Sequence, residues 1–185
     1  MSYYLSLPVT DDIALVQPTL NMSEAIFSLL DSDRQHLGTF LDFVDLTNKV
    51  EDETAYLKMK LTGVANGTDY LFLIHYKGQL AGTIDLHLID TKNKKAEIGY
   101  WIHSSFANLG ITTLAVHKVC EFGFDHLGLN KLTIVADTEN QPSNKVAIKS
   151  GFTLISTEKE DVFIHGAFRD MNRYSLLKSN FKAKK

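Results

Sequence analysis

The segment DYLFLIHYKGQLAGTIDLHLID, residues 69–90, narrows the choice of fold more than any other stretch. Two runs rich in Leu, Ile, Phe and Tyr flank Lys77-Gly78, a pair suited to a two-residue hairpin turn because glycine accepts a positive φ without a Cβ clash. The second run alternates Ile84, Leu86 and Leu88 with Thr83, Asp85 and His87, so the first three are expected on one apolar face. An antiparallel sheet is therefore the scaffold. KAEIGYWIH, 95–103, reads as its next strand, and the nearly continuous apolar run NKLTIVAD, 130–137, as a central one. FTLISTEKED and AFRDMNRYSLL form a closing pair around His165-Gly166, and IALVQPTL, 13–20, reads as the first strand.

Helical periodicity fills the gaps between these strands. NMSEAIFSLLDSDRQHLGTFL, 21–41, carries Ala25, Ile26, Leu29 and Leu30 at three- and four-residue steps, with Asn21 or Ser23 as N-cap. DETAYLKMKLTGVANG predicts a second helix ended by Asn66-Gly67. Residues 111–127 predict a third, closing near Leu127-Gly128. QPSNKVAIKSG, 141–151, predicts a short fourth, with Pro142 in its first turn and Gly151 beyond its end. The order β-α-α-β-β-β-α-β-α-β-β is that of an α+β fold with a mixed, mostly antiparallel sheet flanked by helices.

Composition removes several classes of function. The 185 residues suit a single domain, 1–185, and 44% are hydrophobic. A net charge of -3, from 19 basic and 22 acidic residues, leaves no footprint for nucleic acid. The basic end KSNFKAKK, 178–185, reads as a solvated tail. The single cysteine, Cys120, excludes an internal disulfide and lies in a helical pattern that suits a small buried hydrophobe. His117 shares that helix with Cys120 and Glu121, but no further ligand is spaced to join them, so no metal is expected. No leader pattern and no apolar run of about 18 residues is present. A cytoplasmic location without membrane association is the expectation, and the sequons at Asn21 and Asn66 then carry no weight.

Two segments carry candidate chemistry. GYWIHSSFANLGITTLAV, 99–116, is a strand, a polar hinge and a helix, with Gly110 at the hand-over. The amides of a helix's first turn are unpaired and lie at the positive end of its dipole, so 108–112 is a candidate phosphate site, with Thr112 and Thr113 as further donors. The hinge lacks the P-loop lysine and the dinucleotide spacing, and Gly110 making a turn is an equally good reading. DTENQPSNKVAIKSGF, 137–152, places Asn140 after a central strand and Ser143 three residues on, which fits either a ligand-facing pair or an ordinary N-cap with a solvated hydroxyl.

Taken together, GYW, Gly110, Asn140, Ser143 and Gly151-Phe152 at these separations resemble the GNAT N-acetyltransferases, within them the Rim-type group that acetylates N-termini of ribosomal proteins. The resemblance runs over nearly the whole chain. It implies a GNAT fold whose fourth and fifth strands, 96–103 and 131–137, splay apart. Acetyl-CoA would enter there as co-substrate, its pantetheine pairing near Trp101, Ile102 and His103 and its pyrophosphate held by Asn108, Leu109, Gly110, Ile111 and Thr112. Direct attack by a primary amine would follow, with Ser143 as the acid for the thiolate, Asn140 on the pantetheine arm and Lys149 on a CoA phosphate. Glu97 is the candidate base, with Asp85, His87 and His103 as alternatives; Asp85, His87, Asp170 and Tyr174 are candidates for the acceptor pocket.

The chain departs from the family pattern at several places. Ala147 stands where a tyrosine is common, Ser104 where an acidic residue is frequent, and Ala107, Leu109 and Thr112 where the pyrophosphate loop usually carries a polar or basic residue, a basic residue and a small residue. One buried charged hydrogen bond of this kind is worth about 1.5–3 kcal/mol. The acceptor stays open between a ribosomal-protein N-terminus and a small amine such as a polyamine, an amino acid or an antibiotic. A non-catalytic acyl-CoA-binding module is the alternative from another class, and the final hairpin permits a homodimer.

Overall fold

The computed structural model describes residues 5–181, which leaves the last four residues of the basic tail outside it. Its frame is one eight-stranded sheet, in the order β1-β2-β3-β4-β5-β6-β8-β7. The strands are β1 (Ser6–Pro8), β2 (Ile13–Val16), β3 (Tyr70–Tyr76), β4 (Gln79–Asp90), β5 (Lys95–Ile102), β6 (Lys131–Asp137), β7 (Thr153–Ile164) and β8 (Ala167–Leu177). Every neighbouring pair is antiparallel except β5–β6. Both predicted hairpins form, with Lys77 (φ 50°) and Gly78 (φ 77°) at one turn and His165 (φ 51°) and Gly166 (φ 78°) at the other. Two consecutive positive φ angles match the right-handed twist of the paired strands.

Helices cover the sheet on both faces, which is why β4 is buried from Ala81 through Leu86. On one face α1 (Ser23–Asp31) and α4 (Val50–Asn66) press Ile26 and Leu57 onto Val16, Leu71 and Leu73. On the other, α5 (Ile111–Glu121) buries Ile111, Ala115, Val116, Val119 and Cys120 against Phe72, Ile74, Ile84, Leu86 and Ile98. The short α6 (Gln141–Lys149) joins that second core through Ala147. Each fully buried aliphatic side chain stabilises the fold by about 1.5–3 kcal/mol. Cys120 is inaccessible, and burial pushes its thiol up, so it is an inert core residue.

Several local expectations change. The stretch 21–41 breaks after Asp31 into α1, α2 (Arg34–Leu37) and, further on, α3 (Phe43–Leu46). Neither Asn21 nor Ser23 caps α1 with its side chain; the Ser23 hydroxyl donates to the Leu20 carbonyl instead. The break has a tertiary cause: Asp33 accepts from the Ser104 amide (2.6 Å) and hydroxyl (2.8 Å) at the end of β5. Leu88 does not share the inward face of Ile84 and Leu86. The register slips between His87 and Asp90, Leu88 takes φ 51°, and the bulge turns its side chain to solvent. The first strand ends at Val16, short β1 precedes it, and a π-helical turn, Phe122–His126, follows α5.

Candidate active site

The parallel pair is where the sheet opens. β5 and β6 pair only at Lys95/Lys131, Ala96/Leu132 and Glu97/Thr133, although both strands run on, to Ile102 and Asp137. Beyond Glu97 no strand among the described residues pairs with the β6-facing edge of β5. The His103 amide donates to the Ala81 carbonyl on the β4 side (2.9 Å), so by ladder alternation the main-chain groups of Tyr100 and Ile102 face the gap, while those of Trp101 and His103 face β4.

At the mouth of this wedge lies the hinge. Asn108 (φ 63°) and Gly110 (φ 78°) both adopt left-handed backbone, and residues 108–110 are exposed. A Cβ on Gly110 would meet nothing within 4 Å, so glycine serves the dihedral and leaves the approach clear. Among the described residues the amides of 108–112 find no acceptor; hydrogen bonding resumes with Leu114 donating to the Gly110 carbonyl. Successive unpaired amides at a helix N-terminus form a concavity for an anionic oxygen. Leu109 is 56% exposed and brings no charge to it, and Thr112 is buried, which leaves Thr113 as the more open hydroxyl.

α6 closes the wedge from the α5 side. Asn140 caps it, its Oδ1 accepting from the Ser143 amide (3.2 Å). Asn144 pins it to the sheet. Its Nδ2 donates to the carbonyls of Asp137 (2.8 Å) and Asn140 (2.7 Å), and its Oδ1 accepts from Tyr174 Oη (2.7 Å) and Asn172 Nδ2 (2.8 Å). Ser143 is half-buried, and Tyr100 reaches it from β5: the phenol lies 3.2 Å from the Ser143 carbonyl and 3.1 Å from Ser143 Oγ, with one proton to share between these acceptors. Burial pushes the Tyr100 phenol up to about 12.

The opposite face carries charge. Asp85 on β4 is almost fully buried and binds Lys60 of α4 (2.6 Å), His87 Nδ1 (3.1 Å) and the Gly99 amide (3.1 Å). Gly99 makes room for this pair, since a Cβ there would stand 2.7 Å from Asp85 Oδ1. Nε2 of His87 lies 3.4 Å from Glu97, and Glu97 pairs with Arg173 (3.3 Å), which also holds Glu158. Burial alone would lower the His87 pKa, but Asp85 and Glu97 raise it to about 9, so the ring is a cation at neutral pH. Burial would raise the Glu97 carboxyl, yet His87, Arg173 and Thr133 bring it below its usual value.

These surroundings give each expected site residue its partners. Glu97 is an ionised carboxylate locked between two cations and therefore a weak base, and protonated His87 has no free lone pair to offer. His103 is bound by Ser105 at Nδ1 (2.8 Å) and Ser32 at Nε2 (3.2 Å), which ties the end of β5 to the α1–α2 corner. Asp85 and Tyr174 are buried and hydrogen-bonded. Lys149 stands at the far end of α6, about 12 Å along its axis from Gln141, in a groove with His117 and Phe181 and away from the hinge. Asp170 does border open space. It pairs with Lys159 (2.5 Å) and lines a polar pocket of about 220 Å³ with Asp137, Glu139, Glu160 and Arg169 at the end of β6. Among the described residues no group of three metal-ligating side chains gathers, and no helix is long and apolar enough to cross a membrane. Tyr100 and Asn144 had no assigned role in the sequence, although GYW and QPSN mark their places.

A strand pair parted over free amides at a helix start is the arrangement expected for a bound CoA, and comparison with known proteins agrees. The family model described as an acetyltransferase (GNAT) domain matches residues 12–153. The chain belongs to the GNAT acetyltransferase family. It is an acetyl-CoA-dependent N-acetyltransferase with the α+β fold of that family. Bacillus subtilis (strain 168) has a relative named "Putative ribosomal N-acetyltransferase YdaF", 32% identical over 180 residues and 94% of each chain. The ribosomal-protein-serine acetyltransferase of Escherichia coli (strain K12) is 25% identical over 170 residues, 92% of this chain and 95% of that protein. Among solved structures, the microcin C7 self-immunity acetyltransferase MccE, in complex with acetyl-CoA and AMP, superposes with a TM-score of 0.86 at 27% identity, covering 91% of this chain and 94% of that one. Strands β5 and β6 part after Glu97 in this GNAT chain, and its hinge carries the uncharged Leu109.

Proposed function

We propose that this acetyltransferase modifies the N-terminal α-amine of a protein, a ribosomal protein being the first class to test, by direct attack of the amine on the acetyl-CoA thioester. The observation that carries the acceptor class is the 32% identity with YdaF across 94% of both chains. Chemistry at the wedge supports it. Neither Glu97 nor His87 is poised near neutrality, which suits an acceptor whose amine sheds its proton readily. An α-amine, with a pKa of about 7.7–8.0, does so; the amine of a lysine-like chain, near about 10.4, does not. The whole chain acts as one domain in the cytoplasm.

In this reading the amides of 108–112 hold the pyrophosphate. The free edge of β5 at Tyr100 and Ile102 pairs with the pantetheine arm and polarises the thioester carbonyl. Asn140 steadies the arm, and Ser143 gives its proton to the departing thiolate. The acceptor enters from the open polar pocket that Asp170 borders.

The test is release of free thiol from acetyl-CoA across a panel of peptides with Ser, Ala or Met N-termini, polyamines, amino acids and aminoglycosides. Peptide turnover is expected, with kcat/KM climbing to a plateau near the pKa of the peptide amine. Turnover of small amines alone would replace the protein acceptor with a small one. Tight acetyl-CoA binding without turnover on any amine would favour the binding-module reading, which the altered loop, Ala107 and Ser104 motivate.

A further inference from the structure

Tyr100 lies three residues beyond Glu97, the last β5 residue to pair with β6, and therefore inside the wedge. Its ring packs on the core beneath α5, and its hydroxyl spans the gap to α6. There it has two Ser143 acceptors within reach of its one proton, the carbonyl at 3.2 Å and Oγ at 3.1 Å, and Oγ is the nearer. Ser143 is held from the other side as well, its amide engaged by Asn140. Asn144, the next residue, is fastened by four hydrogen bonds, so α6 has no freedom to carry Ser143 elsewhere. The remaining degree of freedom at this position is the rotation of the Ser143 hydroxymethyl group, and the phenol is what meets it.

We propose that Tyr100 is a positioning residue for Ser143, its phenol donating to Ser143 Oγ and so fixing the serine rotamer with the Oγ–H left free for the sulfur that leaves at the wedge. The inference rests on the acetyltransferase reading above and on Ser143 as the acid. As the amine nitrogen bonds to the acetyl carbon, the C–S bond breaks and its electron pair goes to sulfur. Sulfur takes the proton of Ser143 Oγ, and the serine is restored by the proton shed from the attacking nitrogen through solvent. Tyr100 keeps its own proton throughout, because its hydroxyl is engaged with Ser143.

The experiment is a double-mutant cycle on kcat with Tyr100→Phe, Ser143→Ala and the pair, alongside the KM for acetyl-CoA and calorimetric CoA affinity. Both single variants are expected to lose kcat by about tenfold or more, with the double variant no slower than Ser143→Ala, because residues acting as one unit are not additive. KM and CoA affinity should stay within about threefold of wild type. Unchanged kcat in Tyr100→Phe overturns the proposal, and so do losses that multiply in the double variant. A loss confined to KM or CoA affinity also overturns it, since that would make the phenol a spacer of the wedge. Should Tyr100→Phe not fold, Tyr100→Met keeps the apolar bulk and carries the same cycle. Failure of the wild type to turn over any amine would sink the parent reading and this inference with it, whereas an active wild type with a fully active variant sinks this inference alone.

Discussion

Glu53 stands on the inward stripe of α4, in line with Leu57, Lys60 and Gly63, and is 5% exposed. Burial raises its pKa to about 7. A carboxyl whose folded pKa exceeds its unfolded value favours the native state while both forms are protonated, and that advantage drains away as pH rises from about 4.5 to 7. The slope is worth about 3 kcal/mol in all. Glu53→Gln should therefore melt like wild type at pH 4.5 and well above it at pH 8; equal melting temperatures at both would show that Glu53 does not carry the slope. His87 runs the opposite way to an acid locked by cations. Its contribution is full below about 6.5 and is lost as pH passes about 9. His87→Gln should be destabilised at pH 6.5, by less than the full shift because the ring is partly exposed, and the gap should close by pH 10. Neither effect is legible in the sequence. DETAYL reads as a polar helix start, and nothing in it says which face the sheet will cover. Asn140 and Ser143 were visible because a cap is a local device; the Tyr100–Ser143 contact joins residues 43 apart.

At the scale of elements, what could be read was what depends on neighbours in sequence. Both hairpin turns, the glycine that ends α4 in left-handed backbone and the Pro142 start of α6 are all decided within a few residues. The break after α1 was hidden because Asp33 answers to Ser104, 71 residues away. The hinge before α5 is local, so a prediction about it follows from backbone geometry. Gly110→Ala places a side chain at φ 78°, at a cost of about 1–2 kcal/mol, and sets a methyl group where the amides of 108–112 converge. A drop of a few degrees in melting temperature with about tenfold weaker CoA binding is expected; full CoA affinity in calorimetry would remove the hinge from the cofactor site. Besides Ala147 in the core, α6 is held by the side-chain amide of Asn144. Asn144→Ala strips partners from Tyr174, Asn172 and the Asp137 carbonyl together, which should cost about 3 kcal/mol or more and lower the melting temperature by roughly 10 °C.

For the whole molecule, the sheet does two jobs that conflict. Continuous pairing would bury every main-chain group of β5 and β6, yet the strands part after Glu97 and leave donors and acceptors of a central strand without a ladder partner. An unmade main-chain hydrogen bond is costly where water is scarce. The parted region is held open by contacts on both faces: the Lys60–Asp85–His87–Glu97–Arg173 chain beneath α4, and Asn144 with Tyr100 on the α6 side. A ligand that completes the edge of β5 and occupies the amides at the hinge binds the native state alone, and so raises its stability by mass action. At a hundredfold excess over Kd this is about 2.7 kcal/mol, which for a chain of this length moves the melting temperature up by about 5–11 °C. CoA should produce that shift, and dephospho-CoA, which keeps the pyrophosphate and pantetheine, should reproduce most of it. Adenosine 3′,5′-bisphosphate, which has neither the arm nor the pyrophosphate, should not. If the bisphosphate alone stabilised the protein as much as CoA, binding would be driven from a surface remote from the wedge, and the parted strands would need another explanation.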